Sequence, residues 1–293
     1  MMARVLLAGC ACLPTSDGDD TPLADALAEL GVAAEWVPWD DPDTDFTAAD
    51  LVVLRATWDY AARREEFLKW CDSVPGLVNP APVARWNTDK SYLVDLAAQG
   101  VPVVPTELVA PDAEPTWPAG EFVLKPSVGA GSRGAARFGP DQLDAARGHL
   151  AALHDRNQVA VLQPYQAAVD REGETALVFL GGHFSHAFSK GPMLSDGSEL
   201  DASGLFAGEK LAQARPAAAL RRAAEDALDA AADFLGVDRT ELLYARVDLV
   251  RGADGAPLLL ELELTEPSLG FRHADPGALP RFASAVRAAL ARR

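Results

Sequence analysis

Cysteine is scarce in this chain: Cys10, Cys12 and Cys71 are the only three among 293 residues. A small, odd number excludes a disulfide scaffold and suits a reducing, cytoplasmic setting. No apolar run reaches the roughly 18–20 residues that a membrane-spanning helix needs. Basic residues are short as well, 26 Lys plus Arg against 43 Asp plus Glu, for a net charge of −17. Such a chain repels phosphodiester backbones and anionic headgroups, so neither nucleic acid nor a membrane surface is expected as a partner. Also missing are a G-x-S-x-G elbow, an H-E-x-x-H helix and a Cys with an evident His partner, which removes the common serine, cysteine and zinc hydrolases. Leu7-Ala8-Gly9-Cys10 has the form of a lipidation site. Only nine residues with one Arg precede that cysteine, so a buried first strand over 4–9 is the better reading.

What remains is an ordinary globular composition, 49% hydrophobic with 23 Gly and 21 Pro. Residues 1–86 alternate strands (4–9, 33–36, 51–54) with helices (from Pro22 to a stop at Gly31, and 63–70). That order predicts a parallel, doubly wound α/β sheet, whose ligands sit beyond the strand C-terminal ends. The segment just past strand 51–54 carries Arg55, Thr57, Trp58, Asp59 and Tyr60. These are the first candidates for contacting a substrate, Arg55 through a carboxylate and Asp59 through an ammonium. A second region, 87–158, opens on a helix that Thr88 or Asp89 would cap and that runs to about Gln99. A loop over 111–120, a hairpin (122–125 and 135–138) and a helix (140–153) follow. The third region, 159–293, reads as α+β: antiparallel strands 159–163, 174–180, 183–189, 243–250 and 258–264, with helices 216–235 and 276–291.

Chemistry concentrates in two places. On strand 243–250, Arg246 and Asp248 share a face, and on strand 258–264 Glu261 and Glu263 do likewise, with Leu260, Leu262 and Leu264 opposite. A turn around Asp254 sets Asp248 opposite Glu261 and Arg246 opposite Glu263. Three converging carboxylates repel unless a cation neutralises them, and hard oxygen ligands favour Mg²⁺ or Mn²⁺. A solvated acidic face balanced by Arg246 is the alternative. The second place is Lys125 with the turn Ser127–Gly134, where Gly129, Gly131 and Gly134 let backbone N–H groups approach an anion. Lysine is rare, with only Lys69, Lys90, Lys125, Lys190 and Lys210 present. A Lys in an apolar strand, or at a helix start like Lys90, therefore hints at a shared anionic ligand. His183 and His186 face opposite ways on one strand and read as packing or surface residues. Cys10 and Cys12 read as small buried residues near a strand end.

Taken together and in this order, these features resemble the ATP-grasp superfamily. The details look closest to its glutathione-synthetase-like and RimK-like branch, which includes a D-cycloserine-forming type. The resemblance implies a pre-ATP-grasp α/β domain over 1–86 and two lobes, 87–158 and 159–293, that clamp ATP. It implies phosphate contacts from Lys90 and Lys125 and closure of the loop bearing Ser127, Gly129, Gly131 and Ser132. Gln163 and Tyr165 would lie at the adenine hinge, Glu174 at the ribose, and Asp248, Glu261 and Glu263 at Mg²⁺. Glu263 stands where the family usually has Asn, a charge that Arg246 can offset. The family's Arg-bearing substrate loop has no clear counterpart; 190–194 and 204–210 stand in its place, so Lys190 or Arg246 would supply that catalytic cation beside Lys125. Glu266, Ser268 and Arg272 are further substrate candidates. The implied reaction joins a small-molecule carboxylate to an amine through an acyl phosphate with release of ADP. Ring closure within one molecule is a subset of it. Phosphoryl transfer to a hydroxyl and non-catalytic nucleotide sensing are the alternatives. A homo-oligomer is left open, since no exposed apolar stripe marks an interface.

Overall fold

The computed structural model describes residues 2–192, 203–205, 208 and 210–293. The chain begins with β1 (Arg4–Gly9), β2 (Pro14–Asp17), α1 (Leu23–Ala28), β3 (Ala33–Pro38), β4 (Leu51–Leu54), α2 (Arg64–Ser73) and β5 (Leu77–Val78). Four of these strands form a parallel sheet in the order β3-β1-β4-β5. Alternate residues of its central strands enter two different cores, which is why they are apolar throughout. Leu6, Ala8, Val52 and Leu54 pack with Trp39, Trp58, Tyr60 and Phe67. Val5, Leu7, Leu51 and Val53 instead share a cluster with Val178, Phe188, Tyr244 and Phe282 from the C-terminal half.

Next come α3 (Ala81–Asn87), α4 (Tyr92–Ala98), β6 (Glu107–Val109), β7 (Phe122–Pro126), β8 (Ala136–Phe138), α5 (Leu143–His154) and β9 (Ala160–Pro164). They build an antiparallel sheet of order β6-β9-β7-β8 with α5 against one face. A region boundary at 158/159 would cut this sheet, because β9 is hydrogen-bonded between β6 and β7; the strand belongs with the smaller lobe. The single helix expected from Thr88 or Asp89 to Gln99 is also corrected. A helix ends at Asn87, the Asp89 carboxylate accepts the Ser91 N–H at 3.0 Å, and α4 starts only at Tyr92. Lys90 thus lies in the connection between two helices.

The remainder is α6 (Val169–Glu172), β10 (Glu174–Leu180), β11 (His183–Lys190), β12 (Leu211–Gln213), α7 (Ala218–Leu235), β13 (Tyr244–Arg251), β14 (Pro257–Glu263) and α8 (Ala278–Ala291). An antiparallel sheet of order β12-β11-β10-β13-β14 has α7 and α4 on one face. Its other face meets α8 and the N-terminal sheet. No helix among the described residues is long and apolar enough to cross a membrane.

Two bulges tune this sheet. The β10–β11 register shifts by one residue between Val178 and Phe179, which sets Glu174 opposite Lys190. The β13–β14 register shifts between Asp248 and Leu249, which sets Asp248 opposite Glu261 and Arg246 opposite Glu263. The pairing expected near Asp248 is therefore present, although the hairpin end is offset by one. The extra residue is Leu260. It turns toward the cleft with Val104 and Val250 rather than into the core, and Leu259 takes its expected inward place.

The free edge of β14 is covered by side chains from the connecting segment, as exposed edges usually must be. Asn87 donates to the Leu262 carbonyl (2.8 Å) and accepts from the N–H groups of Leu264 (2.6 Å) and Thr265 (3.1 Å). The Tyr92 hydroxyl accepts the Leu262 N–H at 3.0 Å. Substituting Asn87→Ala would leave buried backbone groups unpaired, at a cost of about 1–3 kcal/mol. Urea denaturation of that variant is expected to show a lower midpoint; an unchanged midpoint would mean that the edge holds without it.

Candidate active site

A cleft of about 700 Å³ lies where the small sheet, the large sheet and the N-terminal region meet. Four of the five lysines, Lys90, Lys125, Lys190 and Lys210, line it. β7 and β9 bring Lys125 and Gln163 to one sheet face, since Lys125 pairs with Val161 and Val123 with Gln163. β10, β11, β13 and β14 bring the acids. Lys190 Nζ donates to Asp248 Oδ2 (2.7 Å) and lies 2.9 Å from Glu174 Oε2. Arg246 Nε donates to Asp248 Oδ1 (2.9 Å), and its Nη2 bonds Glu263 Oε1. Lys90 Nζ is 3.2 Å from Glu261 Oε1. Among the described residues the Lys125 ammonium has neither a hydrogen bond nor an ion pair. Glu174, Asp248, Glu261 and Glu263 are thus matched in number by Lys90, Lys125, Lys190 and Arg246.

The titrations follow this arrangement. Burial holds the Lys125 ammonium below the usual lysine range, with neighbouring Lys90 adding to the effect against the pull of Glu261. Burial also opposes ionisation of Glu261, but Lys90, Lys125, Lys190 and Arg246 together outweigh it and hold this carboxyl well below its usual range. Glu263 moves the other way: burial, then Glu261 and Asp248, raise it against Arg246. Burial, with Glu263 nearby, pushes Glu266 up to about 8.

Carboxylate oxygens of Asp248, Glu261 and Glu263 all lie within 4.8 Å of one another. Both Asp248 oxygens are taken by Lys190 and Arg246. The second oxygen of Glu261 and of Glu263 has no hydrogen-bond partner among the described residues. Two hard oxygen donors with space for water and phosphate suit Mg²⁺ or Mn²⁺, which take one or two protein carboxylates. The residues therefore fit such an ion, with Glu261 and Glu263 as the open ligands and Asp248 as the group that orients their cations.

In the Gly-rich turn, Gly129, Gly131 and Ser132 line the cleft, and Gly131 (φ +63°) and Gly134 (φ +74°) adopt left-handed backbone. Ser127 does not reach the cleft. It is buried, its N–H donating to the Val159 carbonyl and its carbonyl accepting from Lys90 N–H, both at 2.8 Å. Lys90 Nζ also donates to the Gly129 carbonyl at 2.8 Å. Arg133, which sequence reasoning passed over, donates to the Trp58 carbonyl at 2.7 Å, and Val128 and Ala130 pack on the N-terminal core. The turn is thus docked across the cleft. Gln163 and Tyr165 line the cleft, Gln163 donating to the Thr106 hydroxyl (2.9 Å) and Tyr165 to Asp170 (2.6 Å). Glu174 is there too, paired with Lys190.

The substrate candidates divide. Trp58, Tyr60, Glu266, Ser268 and Arg272 line the cleft. Arg55, Thr57 and Asp59 do not, because the single 3₁₀ turn Trp58–Ala62 presents only its two aromatics there. Arg55, 1% exposed, donates to both oxygens of Asp20 (2.9 and 3.2 Å) and to the Pro267 carbonyl (2.7 Å). Thr57 is fully buried, and Asp59 accepts from the Trp39 indole (2.8 Å) and from Arg63. Their role is internal. Asp19 and Asp20 were missed: Asp19 accepts the Phe271 and Arg272 N–H groups, each at 2.9 Å. The clue was the Asp-rich loop after β1. Of the segments 190–194 and 204–210, residues 193, 194, 206, 207 and 209 lie outside the described residues. Cys10 is buried but Cys12 is exposed, against expectation.

Residues 5–79 match the family described as "D-cycloserine synthetase DcsG, N-terminal domain". The cycloserine biosynthesis protein DcsG of Streptomyces lavendulae is 42% identical over 284 residues, covering 92% of this chain and 93% of that protein. The chain belongs to the D-cycloserine synthetase family of ATP-grasp ligases. The crystal structure of a D-cycloserine synthetase superposes on this ATP-grasp ligase with a TM-score of 0.88 at 38% identity, over 98% of this chain and all of that one. The D-alanine–D-alanine ligase of Bacillus anthracis complexed with ATP shares the fold (TM-score 0.68, 13% identity, 99% of this chain and 98% of that one). So does the ATP-grasp ligase PsnB, complexed with a precursor variant, Mg and ADP (0.63, 16%, 98% of each).

Lys125, expected from the sequence at a phosphate, lines the cleft without an ion pair among the described residues. Lys125→Met is expected to lower ATP turnover by at least about 100-fold while leaving the melting temperature unchanged or higher. Retained turnover would move the phosphate contact elsewhere. Stability should also depend on pH through Glu266. The folded protein keeps that proton to about pH 8, whereas the unfolded chain releases it near 4.5. Wild type therefore loses stability relative to Glu266→Gln as pH rises through that window. A melting-temperature difference that stays flat across it would contradict this burial.

Proposed function

We propose that this ATP-grasp ligase binds ATP with Mg²⁺ or Mn²⁺ and closes an amide within one amino-acid-like molecule, as a D-cycloserine synthetase would. The observation that carries the reading is the likeness along nearly the whole chain to a cycloserine biosynthesis protein, joined to a cleft where Glu174, Asp248, Glu261 and Glu263 are each held by a lysine or arginine. A nucleoside triphosphate brings further negative charge to these carboxylates, so divalent cations enter with it. Glu261 and Glu263 would hold the ion, which when bound neutralises phosphate charge in the transition state.

The remaining roles fall to side chains. Lys125 and Lys90 grip phosphate oxygens, and the docked turn excludes water. Gln163 and Tyr165 bound the space for the nucleotide base. A substrate carboxylate oxygen attacks the γ-phosphorus and the bond to the ADP oxygen breaks, giving an acyl phosphate. A nitrogen of the same molecule then attacks the carbonyl carbon, phosphate leaves, and that nitrogen gives up a proton. Arg246, anchored on Asp248 and Glu263, faces the developing charge. Glu174, expected at the ribose, also pairs with Lys190, which stands between it and Asp248. No serine or cysteine nucleophile is required.

The test is ADP release from Mg-ATP across a panel of amino acids and small carboxylates, with hydroxylamine as a surrogate amine. Carboxylate-dependent ADP together with a hydroxamate is the expected outcome. ADP without hydroxamate would replace the ligase reading with transfer to a hydroxyl, and a product containing two joined molecules would replace ring closure with linear ligation.

A further inference from the structure

Four carboxylates line the cleft, and three of them, Glu174, Glu261 and Glu263, lie within ion-pair distance of a lysine or arginine, as does Asp248 buried behind them. Glu266 is the fourth. It is 8% exposed, lines the cleft, and has no lysine or arginine within ion-pair distance among the described residues. The Tyr60 hydroxyl lies against its carboxyl. Its backbone is fixed as well, the Glu266 carbonyl accepting the Trp58 indole N–H at 2.9 Å. Both side chains come from the 3₁₀ turn that follows β4, and Tyr60 stacks on Phe67 (ring centroids 5.1 Å, planes at 29°), so the carboxyl is held by the packed N-terminal core. A buried carboxyl held in place but lacking a counter-charge is costly unless a ligand completes it.

From this we propose that Glu266 is the specificity-determining residue for the spectator α-ammonium of the substrate, Tyr60 and Trp58 being its positioning residues. The inference rests on the ring-closing reading above and narrows the substrate class to α-amino acids with a free, cationic amine. The attacking nitrogen has to be uncharged to be nucleophilic, so it gains nothing from Glu266; an ammonium gains a charge-assisted hydrogen bond. Asp59, which the sequence suggested for the ammonium, is occupied by Trp39 and Arg63.

The experiment compares ligands differing only in that amine: D-cycloserine with 3-isoxazolidinone, and D-alanine with propionate, each titrated calorimetrically into protein saturated with Mg-ADP. Wild type is expected to prefer the amine-bearing member, and Glu266→Gln to weaken that member at least 10-fold while leaving the des-amino member and Mg-ADP unchanged. Glu266→Asp should recover part of the loss, which a merely structural role would not produce. Tyr60→Phe should weaken the amine-bearing ligand by a smaller factor. Absence of a preference in wild type, or equal loss of both members in Glu266→Gln, overturns the proposal. Failure of the wild-type protein to bind Mg-ADP would instead strike at the nucleotide reading beneath it.

Discussion

The cleft depends on charge compensation. Glu174, Asp248, Glu261 and Glu263 are crowded onto one face of the large sheet, and at that density they would repel one another and drive the strands apart. Lys190 and Arg246 answer from the same sheet, and Lys90 answers from the connection between helices α3 and α4. The lattice also explains the lysine distribution. In a chain where arginine is the common cation, four of five lysines sit at this one place. A compact ammonium can stand between two carboxylates, as Lys190 does, where a planar guanidinium would impose its own fork.

Compensation works only if the strands hold their register, and two single-residue bulges set it. Without the bulge in β11, Glu174 would stand opposite Ser189; without the one in β14, Asp248 would stand opposite Leu260. Bulges re-aim side chains next to functional sites at the cost of a local break in the ladder. Here the break is backed by Asn87 and Tyr92, which bind the β14 backbone on either side of Glu263, and by Pro102 and Val104, which pair with Leu259. The edge strand bearing the acids is thereby made an interior one in hydrogen-bonding terms.

Most of this was legible in the sequence, and the exceptions share a cause. Period-two alternation located β13 and β14 and put Arg246 with Asp248 and Glu261 with Glu263, because a strand face is a local property. The inward turn of Leu259 and the release of Leu260 were not legible, because a bulge is decided by packing across the sheet. The same holds for Arg55, Thr57 and Asp59. Their position past a parallel strand is the right address for a ligand, but a 3₁₀ turn separates those that face the cleft from those that face the protein. The helix break at Asn87–Ser91 was hidden because Thr88 and Asp89 read as caps of one helix, whereas in the fold α3 ends at Asn87, whose side chain serves another strand.

The N-terminal region is joined to the site by more than adjacency. One face of its sheet shares a core with β10, β13 and α8, so the two halves have no separate interiors along that seam. At the seam Arg55 pairs with Asp20 and reaches the Pro267 carbonyl, Asp19 holds the N–H groups of Phe271 and Arg272, and the Tyr244 hydroxyl lies 2.7 and 2.8 Å from the carbonyls of Leu54 and Thr265. Loss of one partner from a buried pair such as Arg55–Asp20 costs about 3–5 kcal/mol, far more than the pair itself contributes over an apolar substitute. Its value is therefore positional. It fixes the segment 266–272, from which Glu266, Ser268 and Arg272 enter the cleft, relative to the turn that brings Trp58 and Tyr60. Arg133 then ties the Gly-rich turn to the same Trp58. One residue thus links two walls of the cleft, its carbonyl holding the Gly-rich turn and its indole N–H holding the Glu266 carbonyl.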